Sequence, residues 1–301
     1  MLRRVRTWPG VLLAVCVTAC GAGVAPMHPP PAAPSAPAAT AADVDQDAVE
    51  DLVEHHRHHH HGGLTMFVAM GLDTLGLTPA QQASLTSLQS DLYAAMRPAR
   101  DAENDVYAAL GDGVAAGAVD RAKVDAAVAR LESQASGVFG AAEGTLDRLH
   151  AALSPEQRAT LADKVEAQWT VWREANPLDE ANRPHGQLAS TARALALTPS
   201  QTDAARARFA ALMKQAAPLD VAHVEARLQA FEQAFAADAF DAHALRSSAV
   251  GSELAAWGAT RLARYCEALV GTLTPDQRTK LAAMLREHAT HHEEKLDAEA
   301  H

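Results

Sequence analysis

The spacing of apolar residues predicts helices from about residue 64 almost to the end of the chain. Apolar and small residues recur every three or four positions, as expected where one helix packs along another. One series comprises Val124, Val128, Leu131, Ala135, Val138 and Ala142, and another comprises Leu85, Leu88, Leu92 and Met96. No segment alternates in the way that is typical of a strand. The pattern therefore predicts an all-α protein built on long antiparallel helical hairpins.

A five-residue motif occurs four times, and each copy predicts the start of a helix. The copies are LTPAQ at 77–81, LSPEQ at 153–157, LTPSQ at 197–201 and LTPDQ at 273–277. The hydroxyl residue is a good N-cap, the proline suits the first helical position, and the glutamine can bond back to the N-cap backbone. The predicted capping residues are Thr78, Gln81, Ser154, Gln157, Thr198, Gln201, Thr274 and Gln277.

The spacing of the four motifs predicts an internal duplication. The two motifs of each pair are 76 residues apart, and the second pair follows the first by 120 residues. Pro98 and Pro218 keep the same offset, and each is expected to end or kink the helix that starts at the first motif of its pair. We therefore expect two tandem four-helix units, at 64–176 and 184–301.

Residues 1–20 have the pattern of an export signal. A basic start is followed by a short apolar run at 11–17, too short to span a bilayer, and then by small residues. The ending VTAC resembles a bacterial lipobox, in which Cys20 would carry the lipid. An ordinary signal peptide with a chance cysteine is the alternative. Because Gly21 rather than aspartate follows, the sorting rule of enteric bacteria implies the outer membrane, facing the periplasm.

Residues 21–54 are expected to form a disordered linker, first rich in proline and alanine and then acidic. The cysteines fit an exported and lipidated chain. Cys16 would leave with the signal and Cys20 would carry lipid, so Cys266 would remain as the one free thiol. We expect Cys266 to be a small buried helix residue and expect no internal disulfide.

The charge and the missing motifs exclude several classes of function. The chain has 26 basic and 37 acidic residues, a net charge of −11 at pH 7. This balance argues against binding nucleic acid or an anionic membrane surface, since both attract basic proteins. No P-loop, HExxH, GxSxG or CxxC motif is present. We therefore expect neither a nucleotide cofactor nor an enzyme, with membrane contact only through the lipid.

The paired LTxxQ motifs in an exported helical chain resemble the Spy/CpxP family of bacterial envelope stress proteins. That family includes zinc-resistance-associated proteins and periplasmic heavy-metal sensors, and the resemblance covers residues 64 to about 295. It implies an ATP-independent chaperone that shields unfolded envelope proteins, or a sensor of metal or misfolding. Family members form dimers with a curved cradle, so the two units here are expected to form a pseudo-dimeric cradle. The negative charge departs from the basic cradle of the best-known chaperone member and favours apolar client contact.

A histidine-rich segment at 55–63 predicts metal binding. Neutral imidazole binds zinc, copper and nickel, and closely spaced histidines can supply several ligands to one ion. An expression tag is one alternative, against which Arg57 and the flanking sequence argue. A polar spacer that binds metal only in vitro is the other. The predicted ligands are His55, His56, His58, His59, His60 and His61.

A second histidine group lies near the other end of the chain. His288 is three and four residues from His291 and His292, so they share one helix face, with Glu287 nearby. This spacing can chelate a divalent ion, although a polar terminal helix without metal fits equally well. The isolated histidines are expected to be surface or packed residues; these are His150, His185, His223 and His243.

Three functions remain open at this point. The first is a lipid-anchored, zinc-binding chaperone for unfolded envelope proteins. The second is a metal or stress sensor that regulates a membrane partner, which would co-purify with it. The third is a metal-sequestering lipoprotein whose helices serve only as a scaffold. Trp169, Trp172 and Trp257 are expected in the core, with a client-binding patch at Trp169 and Trp172 as the alternative.

Overall fold

A computed structural model describes residues 61–176, 187–245 and 250–299, with side chains described as far as residue 289. The helices are α1 (Gly63–Asp73), α2 (Pro79–Ala116), α3 (Arg121–Ala152), α4 (Pro155–Ala175), α5 (Gln187–Ala194), α6 (Pro199–Met213), α7 (Val221–Ala236), α8 (Val250–Val270) and α9 (Pro275–Glu299), with a 3₁₀ turn at Ala242–Leu245. These described residues include no strand, so the predicted all-α class is confirmed. The predicted signal, lipid site and linker at 1–54 lie outside the described residues.

All four motifs start a helix, as predicted. In α2 the Thr78 side chain accepts a hydrogen bond from the Gln81 backbone, while the Gln81 side chain accepts one from the Thr78 backbone. The same reciprocal pair forms at the start of α4, α6 and α9. Each capping box satisfies donors that a helix N-terminus would otherwise leave unbonded.

α2 and α3 form the long antiparallel hairpin that the apolar series predicted. A left-handed glycine, Gly117, ends α2, and Asp120 caps α3. Ion pairs fix the antiparallel register, from Lys123–Asp112 near the turn to Arg148–Asp91 far from it. The predicted seam is buried except at Val128, which is only partly buried.

The prediction for Pro98 is partly wrong, because α2 continues through this residue to Ala116. Pro98 removes one backbone donor, but its neighbours Met96 and Ala99 are buried against the bundle. Tertiary packing therefore holds the helix together across the proline. The corresponding helix of the second half ends at Met213, and Pro218 lies in the irregular segment 214–220.

The second half is divided where the first half is continuous. α6 packs on α8, whereas α7 packs on α4 of the first half. In return, α9 packs on the C-terminal part of α2, and α3 packs on α8. The α4–α7 and α2–α9 contacts involve positions that are 120 residues apart in the chain. α9 begins 120 residues after α4, and α7 lies 120 residues after residues 101–116 of α2.

One apolar core runs through both halves of the described chain and includes Phe67, Leu110, Trp172, Phe231 and Leu269. Among the described residues, no helix is both long and apolar enough to cross a membrane.

Candidate functional site

His61, the last histidine of the histidine-rich segment, is built into the helical bundle. Its Nδ1 lies 2.5 Å from Oε2 of Glu103 on α2, and each side chain is only 5% exposed. The pair comes from positions 42 residues apart in the chain. A buried carboxylate that holds one ring nitrogen fixes the orientation of the imidazole, an arrangement that often accompanies metal-ligating histidines.

Two glycines place His61 there. A Cβ at Gly62 would lie 2.3 Å from Sδ of Met96 on α2. Gly63 has a positive φ of 50°, and a Cβ there would lie 2.5 Å from Cα of Gly251 on α8. Larger residues would therefore clash with α2 and α8, so the glycines let the backbone enter the bundle. The sequence analysis included both glycines in the segment but did not predict this role.

The second histidine group approaches the same part of α2. α9 runs antiparallel to α2, with Arg286 bonded to Asp112 and the ring of His288 4.5 Å from that of Tyr107. Tyr107 is four residues after Glu103, so the two lie on one face of α2, one turn apart. One histidine from each predicted group, His61 and His288, thus lies against neighbouring positions of one helix.

The described residues include two of the histidines that the sequence predicted as metal ligands. His61 and His288 have side chains suited to zinc, and Glu103 orients His61. Within the ranges 61–176, 187–245 and 250–299 there is no group of three or more histidine, cysteine, aspartate or glutamate side chains that could hold a metal ion. His55, His56, His58, His59 and His60 lie outside the described residues. His291 and His292 lie within α9, but their side chains are outside the description.

The isolated histidines contact other parts of the fold. His150 is buried beside Phe235 and Phe240, and its Nε2 lies 3.1 Å from Arg158 Nη1. His223 and His243 lie beside carboxylates, Glu253 at 3.2 Å and Glu143 at 3.3 Å respectively. His185 is outside the described residues.

The motif glutamines have a second role that the sequence analysis missed. Gln81 and Gln157 donate to each other's side-chain oxygens, at 2.9 and 3.0 Å. In the second half, Gln201 donates to Gln277 at 2.8 Å. The available signal was the spacing of the motifs, which is 76 residues in both halves. An equal spacing is expected where the two helix starts of each half make the same contact.

The aromatic and thiol residues lie in the core, as the sequence predicted. Trp169 and Trp172 stack with ring centroids 5.2 Å apart, and Trp172 also contacts Trp257. Both Trp169 and Trp172 are at most 5% exposed, so they do not form the alternative client patch. Cys266 is 1% exposed, and burial raises the pKa of its thiol to about 12.

Three carboxylates interact at the interface between α4 and α7, which also contains the Arg173–Glu225 ion pair. The pKa of Glu232 is raised by its partial burial and by the nearby carboxylates of Glu166 and Asp163. In the interface between α2 and α9, the positions that correspond to Glu166 and Glu232 form an ion pair, Arg286 with Asp112. Hydrogen bonds from Lys123 and Arg286 hold the pKa of Asp112 below its usual value.

Apolar surface is sparse on the described part of the molecule, but one groove is present. Met284 is the only large hydrophobic side chain classed as exposed there, at 38%. The groove, of about 270 Å³, lies between the segment that follows α6 and the face of α8. Its lining residues are Met213, Ala216, Ala217, Pro218, Leu219, Asp220, Glu253, Ala256, Trp257, Thr260 and Arg261.

Comparison with known proteins gave one match. The sequence model of a family described as heavy-metal resistance matches residues 48–160. The match is less than half of the chain, and it includes the histidine-rich segment, the α2–α3 hairpin and the start of α4. Neither the curated proteins nor the solved structures gave a match.

Proposed function

Since residues 48–160 match the sequence model of a family described as heavy-metal resistance, we propose that this protein binds zinc or another divalent transition-metal ion in the cell envelope. The observation that carries the proposal is that one histidine of each group lies against the same part of α2. His61 contacts Glu103, and His288 contacts Tyr107 one helical turn away.

The metal would be held by histidines from both groups. His61 is fixed by Glu103, and the histidines immediately before it are close enough in sequence to share its ion. His288 begins the second group on α9. The remaining ligands would come from His55, His56, His58, His59, His60, His291 and His292. The bound ion would be kept from other envelope proteins, which is a direct form of metal resistance.

Lipid anchoring at Cys20 and an outer-membrane location remain part of the proposal. The signal-like residues 1–20 and the linker-like residues 21–54 support it. Copper and nickel are alternatives to zinc, because imidazole binds all three. No enzyme activity, nucleotide or nucleic-acid binding is proposed.

Zinc binding by an untagged protein that begins at Gly21 tests the proposal. Zinc affinity and stoichiometry would be measured by competition with a chromophoric chelator. A variant with five histidines changed to asparagine should bind zinc at least tenfold more weakly. The changed residues are His55, His56, His58, His59 and His60. The group variant of His288, His291 and His292 should weaken the same tight site, because both groups supply its ligands.

The control changes His223 and His243 to asparagine, which should leave zinc binding unaltered. Tight binding that survives in both group variants would contradict the proposal. Binding should also weaken at pH 5, because protonated imidazole cannot coordinate metal and its ordinary pKa is about 6.5.

Chaperone activity is the second candidate function, and the groove beside α8 favours it because unfolded proteins expose apolar side chains. We would measure aggregation of a reduced, unfolding client with zinc and with a chelator. Suppression in both conditions would indicate a chaperone in which metal is accessory, and suppression only with zinc would make metal the switch. No suppression alongside tight zinc binding would leave a sensor or a metal-sequestering protein, and co-purification of a membrane partner would identify the sensor.

A further inference from the structure

The groove beside α8 has a shape that the first half of the described chain does not repeat. α6 ends at Met213, and residues 214–220 cross to α7, whereas α2 runs straight through the corresponding positions. Trp257 lies in the groove, and the residue 120 positions earlier is Gly137. A Cβ atom at Gly137 would meet nothing within 4 Å apart from the backbone of its own helix. The break in the helix and the large ring together form the groove.

The floor of the groove is apolar and its rim is acidic. Met213, Leu219 and Trp257 provide apolar surface, and Asp220 and Glu253 provide two carboxylates. The volume of about 270 Å³ suits one or two side chains of an extended peptide rather than a folded partner.

The one basic residue of the lining does not neutralise this rim. Arg261 is 3% exposed, and its guanidinium lies over the rings of Phe209 and Trp257. It also donates to Gln187 Oε1 at 3.2 Å. Its charge is therefore committed to the interior of the bundle, and the other charged residues of the lining, Asp220 and Glu253, are both acidic.

One carboxylate oxygen of Glu253 has no hydrogen-bond donor in the described part of the chain. Its Oε1 lies 3.2 Å from Nδ1 of His223. Its Oε2 is buried and accepts no hydrogen bond from any residue in the described part of the chain. The Glu253 side chain as a whole is 32% exposed, so a cationic group of a ligand can approach its carboxylate from the groove and would be attracted to it.

We propose that this groove binds an extended peptide segment in which apolar and basic side chains alternate, the apolar side chain against Trp257 and the basic side chain on Glu253. The complementary charge of the rim selects basic over acidic segments. The inference rests on the proposed chaperone function and names the chemistry of its clients, unfolded segments that are both apolar and basic.

Fluorescence anisotropy with labelled octapeptides tests the proposal. The probes alternate leucine with lysine, leucine with glutamate, and serine with lysine. We expect the untagged protein to bind the leucine–lysine peptide about tenfold more tightly than either other probe, because it alone satisfies both floor and rim. Equal binding of the serine–lysine probe would overturn the proposal, since charge alone would then explain the affinity.

Matched variants locate the binding. Glu253→Gln and Ala217→Arg should each weaken leucine–lysine binding at least fivefold, the first by removing rim charge and the second by adding a cation to the lining. Glu132→Gln and Ala126→Arg make the same changes at exposed positions of α3 and should have no effect. Unchanged affinity in both groove variants, with melting curves like the wild type, would place the peptide elsewhere and refute the site.

The aggregation assay separates this site from chaperone function itself. Peptide binding that depends on Glu253, without suppression of aggregation, would uphold the groove and refute the chaperone proposal. Suppression of aggregation that is unchanged by Glu253→Gln and Ala217→Arg would uphold the chaperone and refute the groove.

Discussion

Gln81 and Gln157, 76 residues apart, exchange side-chain hydrogen bonds at the starts of α2 and α4, with Nε2–Oε1 distances of 2.9 and 3.0 Å. Each glutamine also donates to the backbone that precedes the other motif, Gln81 to Ala152 and Gln157 to Gly76. The same side chains cap their own helices through Oε1. The motif glutamine is therefore both a local cap and a clasp between two helix starts.

Gln157→Glu separates these two roles. Glutamate serves a capping box as well as glutamine does, but it cannot donate to Gln81 or to the Gly76 carbonyl. We expect the free energy of unfolding to fall by about 0.5–1.5 kcal/mol, because one exposed and one partly buried acceptor lose their donor. Urea denaturation measures the change, and Gln134→Glu at an exposed position of α3 is the control. Equal stability of the Gln157→Glu and control variants would show that only capping matters.

Ala196→Gly should stabilise the protein. Ala196 lies two residues after the end of α5 and has a positive φ of 50°. Backbone hydrogen bonds from Leu197 to Ala192 and from Ala196 to Arg193 complete a Schellman pattern. Glycine adopts this conformation without steric cost, so we expect a gain of about 1 kcal/mol. Ala192→Gly in the interior of α5 is the control and should lose about 0.5–1 kcal/mol instead. Loss of stability at both positions in urea denaturation would refute the prediction.

Glu166→Arg should stabilise the α4–α7 interface by forming an ion pair with Glu232, like the Arg286–Asp112 pair between α9 and α2. Positions 166 and 232 correspond to Arg286 and Asp112, which form an ion pair at 2.9 Å. The wild-type interface instead sets Glu166 near Glu232, and the pKa of Glu232 is raised. Because the folded state holds this proton more tightly than the unfolded chain, its stability falls as pH rises from the ordinary glutamate pKa through the raised value.

The gain from Glu166→Arg should therefore be larger at pH 7, where Glu232 is ionised, than at pH 4. We expect about 1 kcal/mol or less at pH 7, as for other partly exposed ion pairs. Urea denaturation at both pH values provides the measurement. Glu132→Arg changes the net charge equally and is the control; a gain of the same size there would mean that the effect is one of total charge.

Cys266 should be unreactive in the folded protein. Its side chain is 1% exposed, and burial raises the pKa of the thiol to about 12, so little thiolate forms at pH 8. In a protein that begins at Gly21 it is the one cysteine. A thiol-specific chromogenic reagent should react slowly in buffer and at once in denaturant. Rapid reaction in buffer would show that α8 opens readily.

Local rules accounted for much of the fold. Thr78, Ser154, Thr198 and Thr274 all cap helices because the capping box involves residues only three positions apart. The seam of α3 followed from helical periodicity in the same way. Pro98 shows where a local rule fails, because buried neighbours hold α2 together across it. Sequence also identified both histidine groups as candidate metal ligands, but it treated them as separate.

The sequence by itself determined the helical class, the helix starts and the residues available for metal. The tertiary structure decided which of them meet: Gln81 with Gln157, His61 with Glu103, and His288 with Tyr107. It also divided the second half at 214–220 and opened the groove beside Trp257. The physical reason is distance along the chain. Caps and periodicity depend on neighbours within one or two turns, whereas these contacts join residues tens to hundreds of positions apart and form only when the whole core packs.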